Sequence, residues 1–291
     1  MFEPGAFVTG LLTGLREGVE AALIVSIVLA YLAKTGNARH FGRIWLGAGG
    51  AIVVSVVVGI AIFRAAGGLE EPAEQVFEGS AMLLAAAVVT WMLFWMRRQA
   101  ATVKGELQRA VDRVLTEGSL WGLAVLAFTA VIREGVETAL FLSAQATAAA
   151  QAADTGAASV LVGALVGLAG AVVIGWGFYR GARLVNLQSF FRWTGIALIF
   201  IAAGLLSHAV HEFIEIGVIT VGTATAYDLS GALSHEEGIG QFLRAIFGYS
   251  ATPEWATLLV HLGYLAIVLV LYLRPVTPQP ARREPEVVPQ S

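Results

Sequence analysis

The sequence predicts an all-α membrane protein of seven transmembrane helices, arranged as two inverted three-helix repeats followed by a seventh helix. Three observations support this fold class. Apolar residues make up 57% of the 291 residues and charged residues only 13%, which lies outside the usual range for a soluble globular domain. Seven apolar segments reach the roughly 20 residues that a bilayer-spanning helix needs. One charged pentapeptide occurs twice, each time inside such a segment.

The distribution of basic residues predicts how the seven spans are oriented. The predicted spans cover residues 6–33, 42–65, 76–96, 119–148, 157–179, 192–217 and 254–273. Fourteen Lys and Arg residues follow or border the odd-numbered spans, whereas only Arg64 and Arg244 lie on the opposite side. Since cytoplasmic loops are enriched in Lys and Arg, we expect the N-terminus outside and the C-terminus in the cytoplasm. Six of the seven Trp residues lie near the predicted inner ends, as in an interfacial belt.

The segments between the spans also carry structural signals. Residues 100–117 have apolar positions at near-helical spacing and predict an amphipathic helix on the cytoplasmic surface. In the outer segment, residues 218–253, a short helix should open at Ser234 and stop at Gly248. Thr252 and Pro253 then resemble the start of span seven. Residues 1–274 are thus one transmembrane domain, and the Pro-rich tail 275–291 is predicted to be disordered.

An internal repeat divides most of the chain into two halves. A shift of 117 residues aligns Arg16–Ser26 with Arg133–Ser143, and eight of the eleven positions are identical. Repeat one covers about residues 6–97, and repeat two about residues 119–217. Because each repeat has three spans, an odd number, the two copies insert in opposite orientations. Such inverted repeats are typical of transporters whose substrate site lies at the membrane midplane.

The repeated pentapeptides, Arg16–Glu20 and Arg133–Glu137, place six charges in the middle of apolar segments. A charge at the centre of a membrane helix costs roughly 2.5–3.5 kcal/mol, so six facing lipid would cost on the order of 15–20 kcal/mol. These side chains must therefore face one another, a water-filled cavity or a bound ion. A cation pathway is the default interpretation. Buried Arg–Glu pairs that lock two helices together are the structural alternative.

The residue types of the motif indicate which cation it suits. Antiparallel first helices would bring together four carboxylates and two supporting guanidinium groups, with a formal charge of −2. These residues are Glu17, Glu20, Glu134 and Glu137, with Arg16 and Arg133. Carboxylates favour hard cations, whereas Cu(I) prefers thiolate or thioether sulfur. The chain has no Cys and four Met, so Cu(I) is not expected, and the absence of Cys gives no information about the compartment.

Further candidate metal ligands lie on the predicted outer face. Span six ends with His208, His211, Glu212 and Glu215, spaced along one helix face, which we interpret as an outer metal-entry station. Several acidic residues would form an outer mouth that attracts cations. They are Glu74, Glu78, Asp228, Glu236 and Glu237. For these loop acids, ordinary solvated charge is the alternative.

Two Arg-Glu-Gly-x-Glu motifs, in spans one and four of a seven-span chain, resemble the high-affinity iron permease family, which includes bacterial EfeU-type and fungal oxidase-linked permeases. The resemblance covers nearly the whole chain. It implies iron uptake across the cytoplasmic (inner) membrane, with the motif glutamates as the iron path and no organic cofactor. It also implies an outer partner, an oxidase or peroxidase together with a periplasmic or extracellular iron-binding protein. No nucleic-acid partner is expected.

Two alternatives stay open at this point. The substrate could be another cation, such as Mn²⁺ or Pb²⁺, and both Fe²⁺ and Fe³⁺ fit the motif. A membrane metalloenzyme is the second alternative, because residues 211–215 faintly resemble a zinc-hydrolase helix. However, Glu215 replaces its second His, and the motifs lack the His of the usual di-iron Glu-x-x-His pattern. We therefore predict a transporter rather than an enzyme.

Overall fold

The computed structural model describes residues 3–66, 72–99, 103–117, 120–152, 155–181, 186–234 and 238–274. Within these ranges the regular structure is helical, apart from one isolated β-bridge between Thr225 and Glu254. A 3₁₀ turn at Ala38–His40 precedes the second helix. The α-helices of the described ranges are α1 (Pro4–Lys34), α2 (Phe41–Ala66), α3 (Ala73–Gln99), α4 (Val103–Thr116), α5 (Leu120–Ala152), α6 (Gly156–Tyr179), α7 (Leu187–Glu215), α8 (Gly238–Phe247) and α9 (Trp255–Leu273).

Seven of these helices coincide with the seven predicted spans, with ends that agree to within five residues. Among the described residues, α2, α3, α6, α7 and α9 are long and apolar enough to cross a membrane. Helices α1 and α5 are longer still, at 31 and 33 residues, but each carries three charged motif residues near its middle. The all-helical fold class is thus confirmed. The seven-span count, the inverted repeat and the orientation of the termini stay predictions.

Large apolar side chains are exposed along the outward faces of several helices. Val53 on α2, Leu165 on α6 and Leu259 on α9 are each more than 60% exposed. Trp45 and Trp121 are also exposed, near the helix ends where an interfacial belt was predicted. Contiguous apolar surfaces of this extent are not stable in water. These faces are therefore suited to contact with lipid.

Helix α4 is amphipathic, as the sequence predicted, and its apolar face is buried. Val111 is fully buried in a cluster that also contains Leu32 of α1, Ile44 of α2 and Leu123 of α5. On its polar side, Asp112 accepts a hydrogen bond from the Tyr31 hydroxyl at 2.7 Å. Helix α4 therefore covers one end of the α1–α2–α5 group.

The structure corrects one predicted helix start and confirms one predicted helix end. Helix α8 ends at Phe247, and Gly248 adopts a φ of 65°, as expected for a glycine that stops a helix. Residues 235–237, which follow its predicted opening at Ser234, lie outside the described residues, as does the tail 275–291. The prediction that α9 starts at Thr252 and Pro253 is wrong, since Glu254 is the N-cap.

The reason is a contact between distant parts of the outer segment. The carbonyl of Pro253 accepts a hydrogen bond from the Ala226 N–H at 2.8 Å, and the Trp255 N–H donates to the Ala224 carbonyl at 3.0 Å. These bonds hold the chain extended up to residue 254. A local sequence signal for a helix start was therefore overridden by tertiary pairing.

The helices pack in pairs whose backbones approach closely. Helix α1 packs most extensively against α6, α2 against α5, and α3 against α7. At the α1–α6 contact a Cβ on Gly14 would collide with the backbone of Ala164, and one on Gly167 would collide with the carbonyl of Leu11. At the α2–α5 contact, Gly47 lies in the same way against Ala124. Small residues thus permit backbone contact, as is usual between membrane helices.

Of the three apolar clusters among the described residues, the two largest flank the region of the repeated motif. The larger one joins α3, α5, α7 and α9, and it includes Met92 and Phe141. The smaller one is the cluster around Val111 on α4, and it enters α1 at Val28, two helical turns after Glu20. The motif residues therefore form a polar region between two apolar ones.

Candidate metal site

Helices α1 and α5 bring the two copies of the motif together. Glu17 of α1 and Glu134 and Glu137 of α5 each offer a carboxylate oxygen, and these oxygens lie within 4.8 Å of one another. We call these three residues the carboxylate triad. Two oxygens that bind one divalent cation at about 2.0–2.6 Å are at most ~5 Å apart, so the spacing suits a shared ion. No other group of three possible ligands is this close among the residues that the structure describes.

Each carboxylate of the triad has one oxygen without a hydrogen-bond partner. These atoms are Oε2 of Glu17, Glu134 and Glu137, and all three are buried. A buried polar atom without a partner costs about 1–3 kcal/mol, and more when it is charged. Three such anionic oxygens in one place therefore fit a cation, which would satisfy all of them at once.

Glu20 lies beside the triad and is linked to it through Arg16. The Arg16 guanidinium donates to Glu17 Oε1 at 2.7 Å and lies 3.2 Å from Glu20 Oε1. It also donates to the Sδ atoms of Met92 and Met96 on α3, at 3.3 and 3.1 Å. Only 1% of Arg16 is exposed. The structure thus places Glu20 in an ion-pair network with Arg16 and not among the three closest carboxylates.

Arg133 holds the second motif in a different environment. Its Nε donates to Glu134 Oε1 at 2.9 Å, its Nη2 contacts the same oxygen, and its Nε is 3.9 Å from Glu137 Oε1. The guanidinium lies over the ring of Trp95, 4.5 Å from the centroid. Its side chain is 41% exposed. The two arginines therefore make the same type of ion pair, but only Arg16 is sealed inside the protein.

The charge of the whole motif region follows from these pairs. Four glutamates and two arginines carry a formal charge of −2 when all are ionised. A divalent cation would neutralise that charge, whereas a trivalent cation would leave one positive charge in a buried site. Burying uncompensated charge is costly, so the arrangement is best matched to a divalent ion.

The predicted entry stripe on α7 is divided between two environments. His208 faces the interior, where its Nδ1 donates to the Gly204 carbonyl at 2.9 Å, and Glu212 is buried. His211 turns towards α9 instead, with Nδ1 at 2.8 Å from a Glu254 carboxylate oxygen and Nε2 at 3.5 Å from Glu215. The stripe is therefore not one group of four ligands, because His211 contacts Glu215 and Glu254 whereas His208 bonds the backbone of its own helix.

The predicted acidic mouth has no common centre among its described members. Glu74 and Glu78 lie in the first two turns of α3 and are partly exposed. Asp228 accepts hydrogen bonds from the Ser230 N–H and hydroxyl at 2.9 and 2.6 Å, which hold the pKa of Asp228 below its usual range. Asp228 therefore stabilises a local turn. Glu236 and Glu237 lie outside the described residues.

The structure also shows polar residues that the sequence interpretation missed. Thr13 on α1 accepts a hydrogen bond from Gln145 Nε2 on α5 at 2.8 Å, and both residues are buried. A cavity of about 50 Å³ lies beyond this pair, at the N-terminal end of α1. Thr9, Thr13 and Glu17 recur every four residues, so extending the motif stripe along α1 would have found them. Met92 and Met96 carried no such signal, since they lie in an apolar helix.

Comparison with known proteins assigns a family to the chain. Residues 7–274 match the model of the "Iron permease FTR1 family". Proteins named "Ferrous iron permease EfeU" are similar over most of their length. Those of Escherichia coli O6:H1 and Shigella sonnei are 38% identical over 263 residues, covering 90% of this chain and 93% of theirs. That of Yersinia pestis is 36% identical over 262 residues, covering 89% and 91%. No solved structure matches the chain.

Proposed function

The chain belongs to the iron permease FTR1 family, and from this premise we propose that it carries Fe²⁺ across the cytoplasmic (inner) membrane through the carboxylate triad. Because the similar proteins are permeases, the chain is a transporter rather than an enzyme, as the sequence predicted. The metalloenzyme alternative is therefore dropped. Iron is the transported substrate.

One observation carries the assignment of the transport site. The triad gathers three buried carboxylate oxygens without hydrogen-bond partners from the two repeated motifs. Oxygen ligands suit Fe²⁺, and the formal charge of −2 suits a divalent ion. The similar proteins are named as ferrous iron permeases, which also favours Fe²⁺ over Fe³⁺. In this proposal Glu20 belongs to the site through Arg16, and the two arginines offset carboxylate repulsion when no metal is bound.

The packing of the helices supports an inverted repeat around this site. Helix α1, the first of repeat one, packs mainly against α6, the second of repeat two. Reciprocally α5, the first of repeat two, packs mainly against α2, the second of repeat one. The third helices, α3 and α7, also pack together. A twofold axis in the membrane plane would produce this reciprocal pattern, with seven spans and the N-terminus outside.

We further propose that the outer end of α7 receives the metal. Its His208, His211, Glu212 and Glu215 combine imidazole with carboxylate, a mixture that suits an incoming transition metal better than Ca²⁺ or Mg²⁺. The acidic residues around α3 and the outer segment would attract cations to this end. The family resemblance also implied an outer oxidase or peroxidase with an iron-binding protein. Because an oxidase would produce Fe³⁺, the proposal of Fe²⁺ transport keeps only the iron-binding protein as the outer partner.

Uptake of radioactive iron into proteoliposomes tests the transport site. Glu17→Gln, Glu134→Gln and Glu137→Gln each keep the side-chain shape but remove a ligand charge. Each should lower Fe²⁺ uptake by about tenfold or more, since even residues that only support metal ligands contribute 10- to 100-fold. The matched control is Glu106→Gln on the exposed side of α4, which should transport normally.

Uptake into the same vesicles also tests which metal is the substrate and whether the three carboxylates form one shared site. Iron is supplied either as Fe²⁺ with ascorbate or as Fe³⁺ with citrate, and Mn²⁺ and Pb²⁺ are tested separately. Faster uptake of Fe²⁺ than of the other ions is the expected result. Near-normal iron uptake by two of the three triad variants would contradict the shared site. Preference for Mn²⁺ or Pb²⁺ would instead move the substrate assignment to that metal.

A further inference from the structure

The cavity at the N-terminal end of α1 is lined by polar and charged side chains, which a gap left by imperfect packing would not need. It is enclosed by α1, α5, α6, α7 and α8, and its volume of about 50 Å³ has room for a few water molecules. Its polar lining residues are Glu3, Thr9, Gln145, His208 and Arg244, with Gln241 beside them. A space left by imperfect packing is normally apolar and dry. This one has a carboxylate and an imidazole in its wall.

Glu3 lines this cavity, and one of its carboxylate oxygens has no hydrogen-bond partner. The residue is buried, with an exposed fraction of only 3%. Its Oε2 caps α1 by accepting a hydrogen bond from the Ala6 N–H at 2.7 Å, whereas its Oε1 has no hydrogen-bond partner. The capping role therefore accounts for one oxygen only. The other oxygen is buried without a hydrogen-bond partner, and a bound cation would satisfy it.

His208 is oriented as a metal ligand would be. Its Nδ1 bonds the Gly204 carbonyl at 2.9 Å, and a carbonyl can only accept, so Nδ1 carries the proton. In the neutral ring Nε2 then keeps its lone pair. A backbone carbonyl that fixes the tautomer of a histidine in this way is a usual feature of metal sites in proteins.

The opposite charges that line the cavity balance each other, so we expect a cation to bind there weakly rather than tightly. The Arg244 guanidinium lines the same cavity as Glu3. The two charges cancel, so no strong field holds a cation there. Transport requires an entry site that binds well enough to admit an ion and weakly enough to release it.

Polar side chains lie between the cavity and the carboxylate triad. Gln145 lines the cavity and donates to Thr13, which lies on α1 one helical turn from Glu17, a rise of about 6 Å. Thr9 lies one turn further out and also lines the cavity. Oxygen atoms of Thr9, Thr13 and Gln145 thus follow one another towards Glu17.

We propose that this cavity is a second cation-binding station, in which Glu3 and His208 hold a partly hydrated divalent metal ion before it passes the Thr13–Gln145 pair to the triad. The inference rests on the proposed function, and it assigns roles to Glu3, Thr9, Thr13 and Gln145. It also gives His208 a role that His211 does not share, because His211 faces α9.

Equilibrium binding of Mn²⁺ to the purified full-length protein, followed by electron paramagnetic resonance, tests the station directly. The wild-type chain should bind one ion tightly and a second ion about tenfold or more weakly. Glu3→Gln, which retains an oxygen for the helix cap, and His208→Leu should each lose the weak ion and keep the tight one. Glu137→Gln should lose the tight ion and keep the weak one. Glu106→Gln, on the exposed side of α4, is the control and should keep both.

Iron uptake by the same variants tests the order of the two stations. Glu3→Gln and His208→Leu should raise the KM for Fe²⁺ about fivefold with little change in the maximal rate. Thr13→Val keeps the shape of the side chain, and it should lower the maximal rate several-fold while both Mn²⁺ ions still bind.

The proposal of a second station would be contradicted if the wild-type chain bound a single Mn²⁺ ion. It would also be contradicted if Glu3→Gln and His208→Leu kept both ions. Normal rates in Thr13→Val and Gln145→Leu would contradict passage of the ion past the Thr13–Gln145 pair. If Glu137→Gln kept both ions while Glu3→Gln and His208→Leu each lost the weak one, the triad would be contradicted as the tight site. The second station would still be supported.

Discussion

Arg16 and Arg133 occupy equivalent positions in the repeated pentapeptide, yet the protein uses them differently. Arg16 is buried and bridges Glu17 and Glu20, and it also donates to two thioether sulfurs. Arg133 pairs mainly with Glu134 and keeps 41% of its side chain exposed. A changed side chain therefore has more room to adjust at Arg133 than at Arg16.

Replacement by lysine should therefore affect the two arginines unequally. Lysine keeps the charge but loses the planar fork, whose separate nitrogens reach two carboxylates in a fixed geometry. Arg16→Lys should lower iron uptake and the melting temperature strongly, whereas Arg133→Lys should lower uptake less. Uptake in proteoliposomes and thermal unfolding in detergent measure both effects. Full activity of both lysine variants would show that charge alone matters at these positions.

At the residue scale, the repeat made part of the site predictable. Glu17, Glu134 and Glu137 could be identified because charged motifs inside apolar segments are costly unless their side chains share a partner. The separation of Glu20 from the triad was not predictable, since it depends on where Arg16 points. The division of the α7 stripe had a similar cause, because α3 and α9 determine which side chains are buried, and helical spacing does not contain that information.

Glycines determine how closely the paired helices approach. Gly14 on α1 lies against the backbone of Ala164 on α6, where even a methyl group would collide with main-chain atoms. Main-chain atoms in a helix cannot rotate away as a side chain can. Any larger residue must therefore push the two helices apart.

A pair of glycine substitutions should separate close packing from helix propensity. Gly14→Ala should destabilise the protein by roughly 1–3 kcal/mol through overpacking. Gly49→Ala on α2 should be neutral or slightly stabilising, because a Cβ there meets nothing within 4 Å and alanine favours the helix. Thermal unfolding in detergent would compare them. A Gly14→Ala protein as stable as the wild type would mean that the α1–α6 contact adapts easily.

At the element scale, hydropathy predicted every long helix, but not which helices pair. Apolar length alone indicates a span, so the ends agreed closely even for α1 and α5. Pairing of α1 with α6 depends on close contacts between residues far apart in the sequence, such as Gly10 and Val160. The start of α9 was missed for a related reason, because Ala224 and Ala226 hold Pro253 and Trp255 from a distance.

The whole molecule is asymmetric although its sequence is repeated. Thr9, Thr13 and Gln145 continue the motif towards the cavity, but the positions related to them by the repeat are Leu126, Ala130 and Val28. Val28 is buried in the cluster that includes Val111 of α4, and Leu126 packs against that cluster. On one side of the triad lie polar side chains and a cavity, and on the other side lie closely packed apolar side chains.

Single cysteines should reveal this asymmetry, since the chain has no cysteine of its own. A thiolate is a soft ligand that should bind Cd²⁺ well. Cd²⁺ added outside should inhibit Thr9→Cys more strongly than the cysteine-free parent. Cd²⁺ added inside should not inhibit Leu126→Cys beyond the parent, because packed side chains cover that position. Equal inhibition of both variants would contradict the asymmetry, and uptake of iron into oriented vesicles is the measurement.

The paired packing of the helices has a mechanical consequence for the carboxylate triad. Backbone contact makes α1 with α6 one stiff body, and α2 with α5 another, while α1 and α5 touch less extensively. Glu17 belongs to the first body, and Glu134 and Glu137 belong to the second. A metal ion bound by all three would therefore cross-link the two bodies, and its ligation energy would oppose their separation. A cation that binds too strongly would hold the two bodies together. Tighter binding of the metal ion would therefore slow its release from the triad.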